Sequence, residues 1–104
     1  MREEDLMQRG DALAQRCSMD GVLENQLAMV LAHLKRHRRP KATQELLRAL
    51  PASPFGQRTQ KTRKQFEALE RHVKSAFVRV TSWQDAARIV GWAKRLCPVY
   101  KQRG

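Results

Sequence analysis

Acidic side chains are scarce in this sequence. Ten aspartates and glutamates stand against twenty-one lysines and arginines in 104 residues, a net charge of +11. A field of that sign and size repels other cations and attracts polyanions, which makes nucleic acid the leading partner class. Long apolar runs are missing too, and no segment combines a wholly apolar helix face with an unburied Lys/Arg rim. Neither a membrane span nor a helix lying on a lipid surface is therefore expected. The opening MREEDLMQRG carries acidic residues where a signal peptide would have a hydrophobic core, which reads as a cytoplasmic chain. There is no glycine-rich phosphate loop and no glycine-flanked serine. The two cysteines, Cys17 and Cys97, both fall at apolar helical positions, where a buried reduced thiol is a commoner outcome than a disulfide.

What remains is helical periodicity. The length fits one domain, residues 1–104, with a single core. Residues 3–17 read as a first helix, with Glu3, Glu4 and Asp5 at the positive end of its dipole and Leu6, Gly10, Leu13 and Cys17 as its seam. Ser18 to Gly21 break it, and Asp20 is the expected N-cap of a second helix carrying the richest apolar stripe, Leu23, Leu27, Val30, Leu31 and Leu34. Residues 41–50 form a short third helix, with Leu46, Leu47 and Leu50 inward and Pro51 as its stop. The loop PASPFGQ follows, with Phe55 as an anchor tucked back on the core.

A long fourth helix starts near Thr59 on the seam Phe66, Leu69, Val73, Ala76 or Phe77, and Val80. Thr81 with Gln84, or Ser82 with Asp85, has capping-box spacing for a fifth helix, whose seam is Trp83, Ala86, Val90, Ala93, Cys97 and Tyr100. The short connection implies antiparallel neighbours whose seams face each other, with the second helix in the groove between them. The expected fold is all-α: a compact bundle of about five helices ending in a long antiparallel helical hairpin, without a sheet or a solenoid repeat.

Catalytic constellations do not emerge. His33 and His37 have the i, i+4 spacing that places two imidazoles on one metal, but Lys35, Arg36, Arg38 and Arg39 surround them and no carboxylate lies within a turn. Glu24, Glu45, Glu67, Glu70 and Asp85 have ordinary places on helix surfaces or ends. No metal, no cofactor and no catalysis by this chain alone are expected.

Binding is better supported, because the charge is uneven. Residues 1–25 hold three basic and six acidic side chains; the remainder holds eighteen basic and four acidic, or +14. Three basic groups stand out. The first, Lys35, Arg36, Arg38, Arg39 and Lys41, crowds the end of the second helix beyond what dipole complementation requires. The second, Arg58, Lys61, Arg63 and Lys64, opens the fourth helix against its macrodipole, a cost that a bound polyanion removes and that an exposed, frayed end makes negligible. The third is a face of the fifth helix on which Arg88, Trp92, Arg95 and Val99 gather, with Lys94, Lys101 and Arg103 nearby. Antiparallel pairing would merge the second and third groups. Lys and Arg on such a surface neutralise phosphates with little sequence choice. Trp92 has three available roles: stacking on a base, packing a neighbouring subunit, or forming the rim of its own core.

The order of short helices, a long basic helix, a tight turn and a terminal helix ending in RLCPVYKQRG resembles the small helical subunit of CRISPR effector complexes, type III in particular. Residues 66–104, with AFVRVTSWQDAARIVGWAKRLCPVYK, are similar in pattern to that family's closing helical hairpin. The resemblance implies a noncatalytic subunit of an antiviral ribonucleoprotein, with several copies stacking along a guide RNA and target strand beside other subunits. The KRHRRPK cluster and the proline loop depart from that pattern. Two further readings stand beside it. A helix-turn-helix DNA binder would use Ala87, Val90 and Gly91 as first helix and turn, and requires a sharp turn at Gly91. A basic adaptor would bind an acidic protein.

Overall fold

The computed structural model describes residues 1–54 and 59–103, the last three as backbone alone. Five α-helices follow in order: α1 (Glu3–Met19), α2 (Glu24–His37), α3 (Pro40–Ala49), α4 (Gln60–Ala76) and α5 (Trp83–Arg103). A short 3-10 turn, Leu50–Ala52, prolongs α3 into the proline-containing segment, and the described residues contain no strand. Phe55 and Arg58 lie outside the described residues.

Local chemistry accounts for most boundaries. Thr59 caps α4, its hydroxyl accepting from the Thr62 N–H at 3.0 Å. Of the two possible caps for α5 the structure uses Ser82, whose hydroxyl accepts from the Asp85 N–H at 3.4 Å. Pro40 sits in the first turn of α3, where its missing N–H costs nothing. Asp20 does not cap α2. It closes α1, in a Schellman arrangement: the Val22 N–H donates to the Cys17 carbonyl at 2.8 Å and the Gly21 N–H to that of Ser18 at 3.3 Å. Gly21 supplies the left-handed φ of +73° that this turn needs, and Val22 is buried behind it. The start of α2 is secured instead by Gln26, whose side-chain oxygen accepts from the Leu23 N–H at 2.8 Å.

The seams of α1 and α4 are buried as their periodicity requires: Leu6, Gly10, Leu13 and Cys17 on one, Phe66, Leu69, Val73, Ala76 and Phe77 on the other. Ile89 joins Ala86, Val90, Ala93 and Cys97 inside α5, while Trp83 and Tyr100 are half-buried. On α2, Leu27, Val30 and Leu34 are buried and Leu23 is exposed; on α3 only Leu47 of the three leucines is fully buried.

The arrangement of the helices differs from a closing hairpin. Gln65, near the start of α4, donates to the Gly21 carbonyl at 3.0 Å, and the Cys97 thiol, toward the end of α5, lies 4.0 Å from the Val22 carbonyl. The two helices thus reach the same end of the molecule, yet they barely touch; α5 packs mainly on α1 and then on α2, whereas α4 packs on α1, α3 and the 3-10 turn. It is α1, not the leucine-rich α2, that lies against both. Small residues explain the choice. A Cβ added to Gly10 would stand 2.5 Å from the Trp92 Cβ and 2.8 Å from the Ile89 carbonyl oxygen, so α1 and α5 cross at backbone contact distance. Ala14 and Cys17 on α1, and Ala86 and Ala93 on α5, continue the close approach. Arg9 ties α1 to the end of α4 by donating to the carbonyl of Ala76 (3.0 Å), which the last turn leaves unpaired, and to that of Val78 (2.5 Å) just beyond the helix.

One consequence is immediate. α5 is a single helix through Gly91 and Pro98, so the sharp turn required by a helix-turn-helix is not there.

Candidate nucleic-acid interface

The chain leaves α2 through Arg38, which has a left-handed φ of 56° and donates its N–H to the Leu34 carbonyl at 2.8 Å. Glycine is the usual residue at such a position, because a Cβ there costs about 1 kcal/mol. The Arg38 guanidinium carbon lies 5.6 Å from the centroid of the Trp83 ring, a cation–π distance. Arg39 is extended and Pro40 starts α3, so α2 and α3 meet in a sharp elbow. Lys35, Arg36, Arg38, Arg39 and Lys41 are all exposed around it.

Opposite the elbow stands the turn between α4 and α5, where Arg79 has a second left-handed φ, 63°. Between them is an open cleft of about 320 Å³, with Arg38, Arg39 and Lys41 on one side, Val80 and Thr81 on the other, and Pro40 and Gln44 completing it. Among the described residues, no carboxylate lines this cleft. Among the described residues, none of Lys35, Arg36, Arg38, Arg39, Lys41 and Arg79 belongs to an ion pair.

The second basic group is different. Lys61, Arg63 and Lys64 are exposed on the first turns of α4, but Arg63 pairs with Glu67 at 3.2 Å and Lys64 lines a cleft with Asp20, Glu67 and Arg71. Asp20 also holds His72, at 2.5 Å, and approaches Arg71 at 3.7 Å.

The third group is occupied from within. Glu3, at the start of α1, accepts from Arg88 Nε at 2.8 Å with one carboxylate oxygen and from Trp92 Nε1 at 3.1 Å with the other. These two hydrogen bonds hold its carboxyl below the usual range, and the one to Arg88, with the Glu3 charge, holds that guanidinium above its own. Arg95 stands over the Trp92 ring at 5.6 Å. Trp92 is therefore not an indole without a core to claim it: half-buried against α1, it faces the backbone at Gly10 and spends its N–H on Glu3. The Lys101 side chain lies outside the described residues. Because α4 and α5 scarcely meet, the second and third basic groups do not share a helix–helix face; the α1–α2 turn stands between them.

The remaining reactive side chains have structural partners. His33 and His37 stack with ring centroids 4.2 Å apart, and His33 Nδ1 shares a hydrogen bond with the buried Thr43 hydroxyl at 2.8 Å. Burial, followed by the neighbouring His37 and Arg36, holds the His33 imidazole below its ordinary pKa. Burial pushes the Cys17 thiol up to about 12, the setting of an inert packing group. Asp11 accepts a hydrogen bond from the Tyr100 hydroxyl.

Sequence reasoning thus located the elbow cations but missed the carboxylates that answer Arg63 and Arg88. Glu3 reads as a helix-dipole residue, and nothing in its spacing links it to Arg88, eighty-five positions away. Asp-Gly-Val at 20–22 did carry a usable signal, since glycine followed by an apolar residue is the mark of a Schellman close. No protein-family model matches the chain, and no curated protein and no solved structure matches it either.

Proposed function

We propose that this chain is a noncatalytic subunit that binds nucleic-acid backbone, RNA or single-stranded DNA, within a cytoplasmic multisubunit ribonucleoprotein. The observation that carries the reading is the elbow: five exposed cations within seven residues, Lys35 to Lys41, none answered by a carboxylate among the described residues. Elsewhere two acids of the N-terminal segment meet basic partners, Glu3 at Arg88 and Asp20 at His72 and Arg71. Phosphates laid along the elbow would release counterions and gain little from base identity. Lys61 and Lys64 stand at the opposite end of α4 from the elbow and would make a separate contact; Arg63 and Arg88, paired with Glu67 and Glu3, contribute less, as does Arg95, which lines the same cleft as Glu3.

The resemblance to small subunits of CRISPR effector complexes, which rests on sequence pattern and not on a packed α4–α5 hairpin, is the ground for placing the chain in an assembly with other subunits or copies of itself. A membrane is not among the proposed partners, since no helix among the described residues is long and apolar enough to cross one.

The test is a titration with single-stranded RNA, single-stranded DNA and duplex at two salt concentrations. Neutralising about five phosphates of a single strand gives a log–log salt slope near −3.5. Absence of binding to all three at low salt would overturn the reading and leave the acidic-protein adaptor.

A further inference from the structure

The elbow cleft has features that backbone binding alone does not call for. A phosphate needs its cations, Arg38, Arg39 and Lys41. It has no use for the apolar surfaces of Pro40 and Val80, nor for an amide at Gln44 beside a hydroxyl at Thr81. A nucleobase needs both, a flat apolar contact for its face and donors or acceptors for its edge. The volume of about 320 Å³ is at the low end for small-ligand sites and suits one nucleotide rather than a double helix. Three further clefts among the described residues each contain a carboxylate: Glu3 in one, Asp20 in a second, Asp20 with Glu67 in a third.

Backbone conformation adds an independent observation. Three described residues have a left-handed φ: Gly21, Arg38 and Arg79. Gly21, in the α1–α2 turn, is the residue such a turn favours. The two that flank the cleft, Arg38 in its wall and Arg79 next to Val80, are arginines, which bear the steric cost of a Cβ in that conformation. Arg38 has the Trp83 contact to offset that strain, whereas Arg79 belongs to no ion pair among the described residues, and strain kept there at a surface turn points to a role other than folding.

We infer that the elbow cleft receives one unpaired nucleotide of a single strand, its base against Pro40 and Val80 within reach of Gln44 and Thr81. Arg38 and Arg79 occupy glycine positions because their guanidinium groups hold the phosphates on either side. This rests on the nucleic-acid reading above and adds strand state to it: a duplex, with its bases stacked and paired, leaves the cleft empty and binds through phosphates alone.

Fluorescence anisotropy with labelled single-stranded RNA and DNA of about a dozen nucleotides, and with the matching duplex, tests it on the full chain. Single strands should bind roughly tenfold tighter than duplex. R79G should raise Tm by ~4 °C as the strain is relieved, yet weaken single-strand binding at least about fivefold. R38G, which also gives up the Trp83 contact, should leave Tm nearly unchanged with a similar loss of binding. Should either glycine variant unfold, R38N and R79N serve in its place, because asparagine tolerates the left-handed conformation. Q44A should cost single strands about threefold and duplex nothing. If the wild type binds single strands but the arginine variants bind as well as it does, or if duplex binds equally tightly, the cleft assignment falls and the broader reading stands. If the wild type binds no nucleic acid, both fall together.

Discussion

Two surfaces of this molecule carry nearly the same side chains and differ in what surrounds them. On α5, Arg88 and Arg95 flank Trp92; at the elbow, Arg38 lies over Trp83 beside Arg39 and Lys41. Glu3 reaches the first through two hydrogen bonds, whereas no carboxylate lines the second. Arginine and tryptophan side by side therefore do not identify a binding surface. What separates the two is whether the fold has already delivered an anion, and that depends on α1 packing against α5.

The largest effect should come from breaking that packing. G10A, which helix propensity alone would favour, should destabilise the protein by about 2–3 kcal/mol in chemical denaturation, since its Cβ would meet the Ile89 carbonyl and Trp92. A gain in stability would mean that α1 does not cross α5 as closely as described. Next in size is the contrast between the surfaces themselves. Charge reversal at the elbow, R39E with K41E, should weaken oligonucleotide binding by roughly tenfold or more with little change in Tm, and R88E with R95E by about threefold or less. Equal losses from both pairs would erase the distinction.

A smaller effect in the opposite sense is expected at Gly91, where an added Cβ meets nothing within 4 Å. G91A should stabilise α5 by about 0.5–1 kcal/mol, read by the same denaturation experiment. The smallest effects concern pH, and they fall in different windows for the two surfaces. His33 is held below its ordinary value, so below about pH 6.5 the unfolded chain binds the proton more readily than the folded one. Its contribution is present above that pH and lost as pH falls through the folded pKa, a loss that H33Q should flatten in a Tm-versus-pH series. The Glu3 carboxyl is also held low, so its contribution is present above about pH 4.5 and lost only on further acidification. E3Q should remove the acid-side change and leave the His33 window untouched.

Much of the architecture was legible because helical seams are periodic. The number of helices, the start of α4 near Thr59, the Phe66 to Val80 seam and the cations of the elbow all follow from spacing within a few turns of chain. The pairing of the helices was not. Apolar volume singles out Leu27, Val30 and Leu34 and assigns α2 the central groove, but close packing is decided as much by what is absent. Gly10 and Ala14 let α1 approach more closely than a leucine-rich face allows. For the same reason the division into an acidic N-terminal segment and a basic body, plain in the sequence, does not survive folding. Glu3, Asp11 and Asp20 are placed against Arg88, Tyr100 and His72, contacts that span between fifty-two and eighty-nine residues of chain.

The seating of α1 against α5 also sets a timetable. Of the five helices described, α1 emerges before the other four and has α5 as its main partner, so Leu6, Leu13 and Cys17 lack their full cover until residues beyond 83 are available. Such long-range closure slows folding and leaves an apolar face open while the chain is incomplete. A chain cut before Trp83 should not settle into a smaller native domain but remain a set of helices seeking a partner, dependent on chaperones or prone to associate with its own copies.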